Sequence, residues 1–144
     1  MKAAATKRFV LDASVTLAWC FPDEHTTYAE VSLDLLANGA EAMAPAIWPF
    51  EVANALLVGE KRKRVTVAQV TSILMRIADL PISVEPVQVG HAFQQVLALA
   101  RQTDLTEYDA AYLELALRLG LPLATLDARL RKASKDAGIA LLRI

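Results

Sequence analysis

Four acids stand where strands end or helices begin. Asp12 follows the apolar run Phe9-Val10-Leu11, Glu51 lies two residues after Pro49, Asp109 closes Thr106-Glu107-Tyr108-Asp109, and Asp127 follows Leu123-Ala124-Thr125. Brought together, such carboxylates would raise one another's pKa values unless a cation neutralised them, and an all-oxygen set suits Mg2+ or Mn2+. Zinc would usually bring His or Cys. His25 and His91 lack ligand-like spacing and read as surface or packing residues, and the lone Cys20 reads as a small core residue. Asp109 is the most telling of the acids. At about 100° per residue it shares a helical face with Tyr112, Leu113 and Ala116, while Glu107, Glu114 and Arg118 cluster on the opposite side. An inward carboxylate is costly and persists where a cation, a metal or several hydrogen bonds compensate it.

Capping accounts for part of this pattern as well. Acids are favoured at helix N-termini by the dipole and by the free N–H groups there. Asp127 could cap the last helix, Asp12 or Ser14 the first, and Thr106–Asp109 resembles a capping box with Asp in its third position. A cap does not need to centre an apolar stripe, so it explains Asp109 less well. Ser14 and Thr125 lie two residues from Asp12 and Asp127, where their hydroxyls could orient carboxylates, and Asn54 is one helical turn from Glu51 and could brace it. For a polyanionic ligand the candidate contacts are Arg129, Arg131 and Lys132 after Asp127, and Arg62 within Lys61–Arg64; a solvated helix end is the stronger reading of the Lys61–Arg64 run. Trp19, Phe21, Trp48 and Phe50 are core residues or the lining of a groove for a partner helix.

The elements that must position these groups alternate along the chain. Strands are expected at Arg8–Leu11, Ala42–Ala44, Ile82–Glu85, Leu121–Thr125 and in the closing Ile139–Ile144. Helices are expected from Ser14 to Phe21, from Thr26 or Thr27 to Asn38, from Pro49 into the basic run, from Thr66 to Asp79, from Gly90 to Thr103, from Thr106 to Leu119 with Gly120 as its stop, and from Asp127 to Ala137. Strands separated by helices favour an α/β fold with a parallel sheet, whose strand ends and helix starts share one ligand crevice. The 144 residues, 55% hydrophobic, suit a single domain spanning 1–144. A net charge of −1 gives no bulk basicity, though a local basic patch remains compatible with it. One cysteine excludes an internal disulfide, the N-terminal MKAAATKR lacks an apolar signal core, and no apolar run approaches a membrane span; a cytoplasmic protein is expected.

The segments FVLDASV (9–15), EVANAL (51–56) and LTEYDAAYLELALRLGLPLATLD (105–127), in this order, resemble the PIN-domain ribonucleases, and among them the VapC-type toxins of prokaryotic toxin–antitoxin pairs. The resemblance implies a three-layer α/β fold with a central, mostly parallel sheet of about five strands flanked by helices. It implies Asp12, Glu51 and Asp109 as ligands of a catalytic Mg2+ or Mn2+, with Asp127 as a fourth acid of variable ligation and Ser14, Asn54 and Thr125 as supporting residues. It further implies RNA cleavage, homodimerisation and inhibition by a cognate antitoxin. Glu107 is an acid beyond this quartet, with its role open. Two rivals remain at this point. A phosphoaspartate phosphotransferase also places an acid after its first strand, but Ser14 stands where its second acid would be, and a stable acyl-phosphate on Asp12 would identify it. A non-catalytic PIN-like module would bind metal, RNA or protein without turnover.

Overall fold

Phe9, Val10 and Leu11 are completely buried, so the first strand, β1 (Arg8–Leu11), is covered on both faces. That explains a continuous apolar run where a half-exposed strand would alternate. The computed structural model describes residues 7–143; the polar start of the chain and Ile144 lie outside the described residues. From β1 the chain passes through α1 (Ala13–Cys20) and α2 (Thr27–Ala37) to β2 (Glu41–Ala44), then through α3 (Trp48–Lys61) and α4 (Val67–Ala78) to β3 (Ile82–Val84). A short α5 (Val89–His91) continues through a π-helical turn (Ala92–Val96) into α6 (Leu97–Thr103). It is followed by α7 (Glu107–Leu119), β4 (Leu123–Ala124) and α8 (Ala128–Asp136).

Local chemistry sets these boundaries. Thr26, Thr66 and Thr106 each accept a backbone N–H three residues on, capping α2, α4 and α7, and Gln69 completes a capping box with Thr66. Gly120 adopts φ 66°, a left-handed conformation that ends α7, with Leu121 and Pro122 between it and β4. In α4, Val70, Ile73 and Ile77 pack on the core. Gly59 in α3 marks a close approach: a Cβ there would stand 2.9 Å from the Phe21 ring. Gly59→Ala is therefore expected to lose about 1–3 kcal/mol by overpacking, read as a lower midpoint in thermal or urea unfolding.

The sheet is parallel in the order β3-β2-β1-β4, with Phe9 opposite Ala42, Leu11 opposite Ala124 and Met43 opposite Ser83. Strand order thus runs outward from β1 to β3 and then reverses, placing β4 on the other side of β1. A reversal of this kind opens a crevice at the carboxyl ends of the two central strands, here after Leu11 and Ala124. The α/β architecture is as expected, with four strands among the described residues where about five are expected. The closing segment makes only a parallel bridge, Leu123 with Leu141, flanked by Leu123 N–H to Ala140 O at 3.0 Å and Leu142 N–H to Leu123 O at 2.8 Å. With β4 itself two residues long there is little ladder to extend. Leu142 instead turns into the core, and the Tyr28 hydroxyl donates to its carbonyl at 2.9 Å.

Candidate metal centre

Asp12 leaves the end of β1 and occupies the N-cap position of α1, yet its side chain makes no capping bond. Oδ2 instead accepts from Ser14 Oγ at 2.5 Å and from Thr125 Oγ1 at 2.8 Å. Ser14 Oγ in turn accepts from Leu126 N–H at 2.9 Å, and Thr125 Oγ1 from Asp127 N–H at 3.1 Å. Two hydroxyls therefore stitch the loop after β1 to the loop after β4 across the crevice, with Asp12 at the seam. Burial raises the Asp12 pKa above the ordinary carboxylate value; the Ser14 and Thr125 hydroxyls partly offset this, and the charge of Asp109 adds to the rise.

Glu51 lies in the first turn of α3, after Pro49, and is half-buried. The donor that reaches it comes from α7: Tyr112 Oη donates to Glu51 Oε1 at 2.7 Å, whereas Asn54 is exposed. The Glu51 pKa is raised by burial, with a lowering from the Tyr112 hydroxyl opposed by the charges of Asp12 and Asp109. Asp109 itself is half-buried in the first turn of α7, and its N–H donates to Thr106 Oγ1 at 3.1 Å. Its face-mates Tyr112, Leu113 and Ala116 are fully buried, as the periodicity requires. Burial raises the Asp109 pKa, the charge of Asp127 raises it further, and Thr106 and Arg129 pull it down. Asp127 caps α8, Oδ1 accepting from Leu130 N–H at 2.9 Å.

These acids lie within one another's fields, and the hydrogen-bond donors that serve them are neutral, hydroxyls on Asp12 and Glu51 and a backbone N–H on Asp127. Among the described residues no Lys, Arg or His forms an ion pair with Asp12, Glu51, Asp109 or Asp127. The donor set is oxygen alone, and its charge is left for a cation to neutralise, which fits Mg2+ or Mn2+. The carboxylates converge without closing into a preformed cage: among the described residues no three His, Cys, Asp or Glu stand at ligating spacing.

The basic candidates divide. Arg129 and Lys132 are exposed on α8 and Arg62 is exposed at the end of α3, while Arg131 turns inward. Its Nη1 donates to the Thr125 carbonyl at 2.6 Å and its guanidinium lies 5.1 Å from the Tyr28 ring centre, so it braces the residue that holds Asp12. The outward phase assigned to Glu114 and Glu107 is corrected. Glu114 is buried, meeting His91 and Arg118, and Arg118 also pairs with Glu85 at 2.6 Å. Glu107 keeps its Oε2 buried without a partner. The α5–α6 segment covers this second face of α7, which a single helix's periodicity does not reveal. Of the four aromatics, Phe21 and Trp48 are buried and Trp48 Nε1 donates to Thr16 Oγ1 at 3.0 Å, whereas Phe50 is 72% exposed beside Glu51. The hydroxyl of Tyr112 and the inward Arg131 went unassigned in the sequence. The only available signal was that a tyrosine on a buried stripe needs a polar partner.

A PIN domain family model matches residues 9–136. Ribonuclease VapC3 of Pyrobaculum aerophilum is 28% identical over 123 residues, which cover 85% of this chain and 92% of that protein. Among solved structures, PAE2754 from Pyrobaculum aerophilum superposes with a TM-score of 0.69 at 23% identity, covering 92% of this chain and 87% of that one. VapBC2 from Rickettsia felis, bound to a DNA fragment from their promoter, gives 0.62 at 14% identity, covering 94% and 97% of the two chains. A toxin–antitoxin complex from Klebsiella pneumoniae gives 0.58 at 18%, covering 83% and 86%.

Proposed function

Because this chain belongs to the PIN-domain family, we propose that the acids at its strand crossover form the centre of a divalent-metal-dependent endoribonuclease, the toxin of a toxin–antitoxin pair. The observation that carries the reading is the arrangement of Asp12, Glu51 and Asp109, from three separate elements, as mutually repelling carboxylates served by neutral hydroxyls and no paired cation. The similarity to a protein named ribonuclease VapC3 supports the same substrate class.

The chemistry supplied by a bound Mg2+ or Mn2+ is Lewis-acid stabilisation of the charge that builds on a phosphodiester during hydrolysis. Asp12, Glu51 and Asp109 hold the ion. Asp127 supplies a fourth carboxylate that also caps α8, and Ser14 and Thr125 fix the orientation of Asp12. Arg129 and Lys132, exposed on the helix that follows Asp127, meet the phosphates of the RNA strand. Incubation of the purified chain with RNA and Mg2+ or Mn2+ should give fragments with 5′-phosphate and 3′-hydroxyl ends, and EDTA should stop the reaction. Fragments ending in a 2′,3′-cyclic phosphate would contradict a hydrolysis of this kind.

The chain acts as one domain in the cytoplasm; no helix among the described residues is long and apolar enough to cross a membrane. An antitoxin and a second copy of the chain are its protein partners. Exposed apolar side chains on α3 and α4, among them Leu57, Val67 and Met75, give such partners a surface, and the similar Klebsiella pneumoniae structure is a toxin–antitoxin complex.

A further inference from the structure

Tyr112 is fully buried in the middle of α7, among side chains that a phenylalanine would satisfy equally well. Its hydroxyl is the exception. A buried O–H must find an acceptor, and this one donates to Glu51 Oε1 at 2.7 Å, across the gap between α7 and α3. Among the described residues Glu51 is the one carboxylate this hydroxyl reaches, while Asp12 Oδ2 accepts from Ser14 and Thr125. Glu51 is the longest of the acids and is half-buried, so without an anchor its carboxylate would sample several rotamers. Tyr112 is also three residues after Asp109 on the same face of α7, so one rigid helix fixes the position of Asp109 and, through the phenol, that of Glu51.

We propose that Tyr112 is the positioning residue for Glu51, holding Oε1 through a buried hydrogen bond so that Oε2 is the oxygen offered to a divalent cation. The inference rests on the metal-centre reading given above and goes beyond it in naming what sets the third ligand. Neutrality suits the role: a lysine or arginine in this place would fix Glu51 equally well but would compete electrostatically with the cation, whereas a phenol supplies direction without positive charge.

Calorimetric titration of Mn2+ into the metal-free protein tests this. The wild type should bind, and Tyr112→Phe should raise Kd by about tenfold or more, in the range usual for groups that orient a ligand. The melting temperature in EDTA should change far less than the Kd. In a Glu51→Ala background, where there is no carboxylate to hold, Tyr112→Phe should have no further effect on Kd. A readout that needs no change at position 112 uses Tyr28→Phe, Tyr108→Phe, which leaves Tyr112 the sole tyrosine of the three; with 13C at the tyrosine Cζ, Mg2+ should then shift its single NMR resonance with the affinity found by titration. A wild type that binds Mn2+ while Tyr112→Phe keeps the same Kd overturns the positioning role, as does a melting-temperature loss with unchanged affinity. A wild type that binds no divalent ion overturns the metal centre and this inference together.

Discussion

Asp109→Asn is expected to lower metal-dependent RNA cleavage by at least about a hundredfold, while the metal-free protein melts at the same temperature or higher. The two halves of the result have one cause. Burial and the charge of Asp127 hold the Asp109 pKa above its usual value, which means that the folded chain disfavours the ionised form it must use at neutral pH. Asparagine keeps the shape and size of the side chain and removes the charge, so the fold loses a source of repulsion. Catalysis loses a cation ligand, and a hundredfold corresponds to about 2.7 kcal/mol of transition-state stabilisation, within what a bound metal supplies. Measuring initial cleavage rates at saturating Mn2+ beside a melting curve in EDTA separates the two. A variant that cleaves at the parental rate removes Asp109 from the centre. One that is inactive only because it is unfolded would show a large melting loss, which the raised pKa argues against.

Much of the candidate site's placement is legible in the sequence because parallel α/β topology does the convergence. Once the run Phe9-Val10-Leu11 is read as a buried strand and Gly120 as the stop before another, the acids after those strands must share an edge, and Asp12 and Thr125 do meet there. The periodicity of α7 also placed Asp109 correctly, since its face-mates are buried. What the sequence left open depended on contacts between elements distant along the chain. Asp12 and Asp127 have the same local signature, yet Asp127 caps its helix and Asp12 gives its carboxylate to two hydroxyls, a difference decided by the neighbouring loop. The α7 sequence pattern by itself points Glu114 outward, because one helix has one obvious apolar stripe. The segment that buries it, interrupted by a π-turn, packs on α7 from a direction no single-helix pattern contains. Arg131 resembled its exposed neighbours in composition and differs from them only in facing Thr125.

In EDTA the protein should lose stability as pH rises from about 4 toward neutrality, and saturating Mn2+ should reverse that trend. Asp12 and Asp109 have ordinary values of 3.8 and Glu51 of 4.5, and all three are raised in the folded chain, by burial first and by neighbouring charge second. Between the unfolded and folded values the native state binds more protons than the unfolded one, so ∂ΔG/∂pH is negative, and the loss is complete once pH exceeds the folded values. Glu85 acts in the opposite direction, since its bond to Arg118 lowers its pKa below 4.5; its contribution is lost as pH falls from 4.5 through that lowered value, so it touches only the acidic edge of the window. A divalent cation binds the deprotonated carboxylates, so its stabilisation grows with pH. At a free concentration a hundred times its Kd it adds about 2.7 kcal/mol, roughly 8 °C in melting temperature for a chain of this size. Asp109→Asn should flatten both the pH slope in EDTA and the gain from Mn2+. Groups remote from the site are common to the two proteins and cancel in the difference. A pH slope that is equal in the wild type and Asp109→Asn would show that the repulsion resides elsewhere, and a Mn2+ gain that is equal in the two would place the cation away from Asp109.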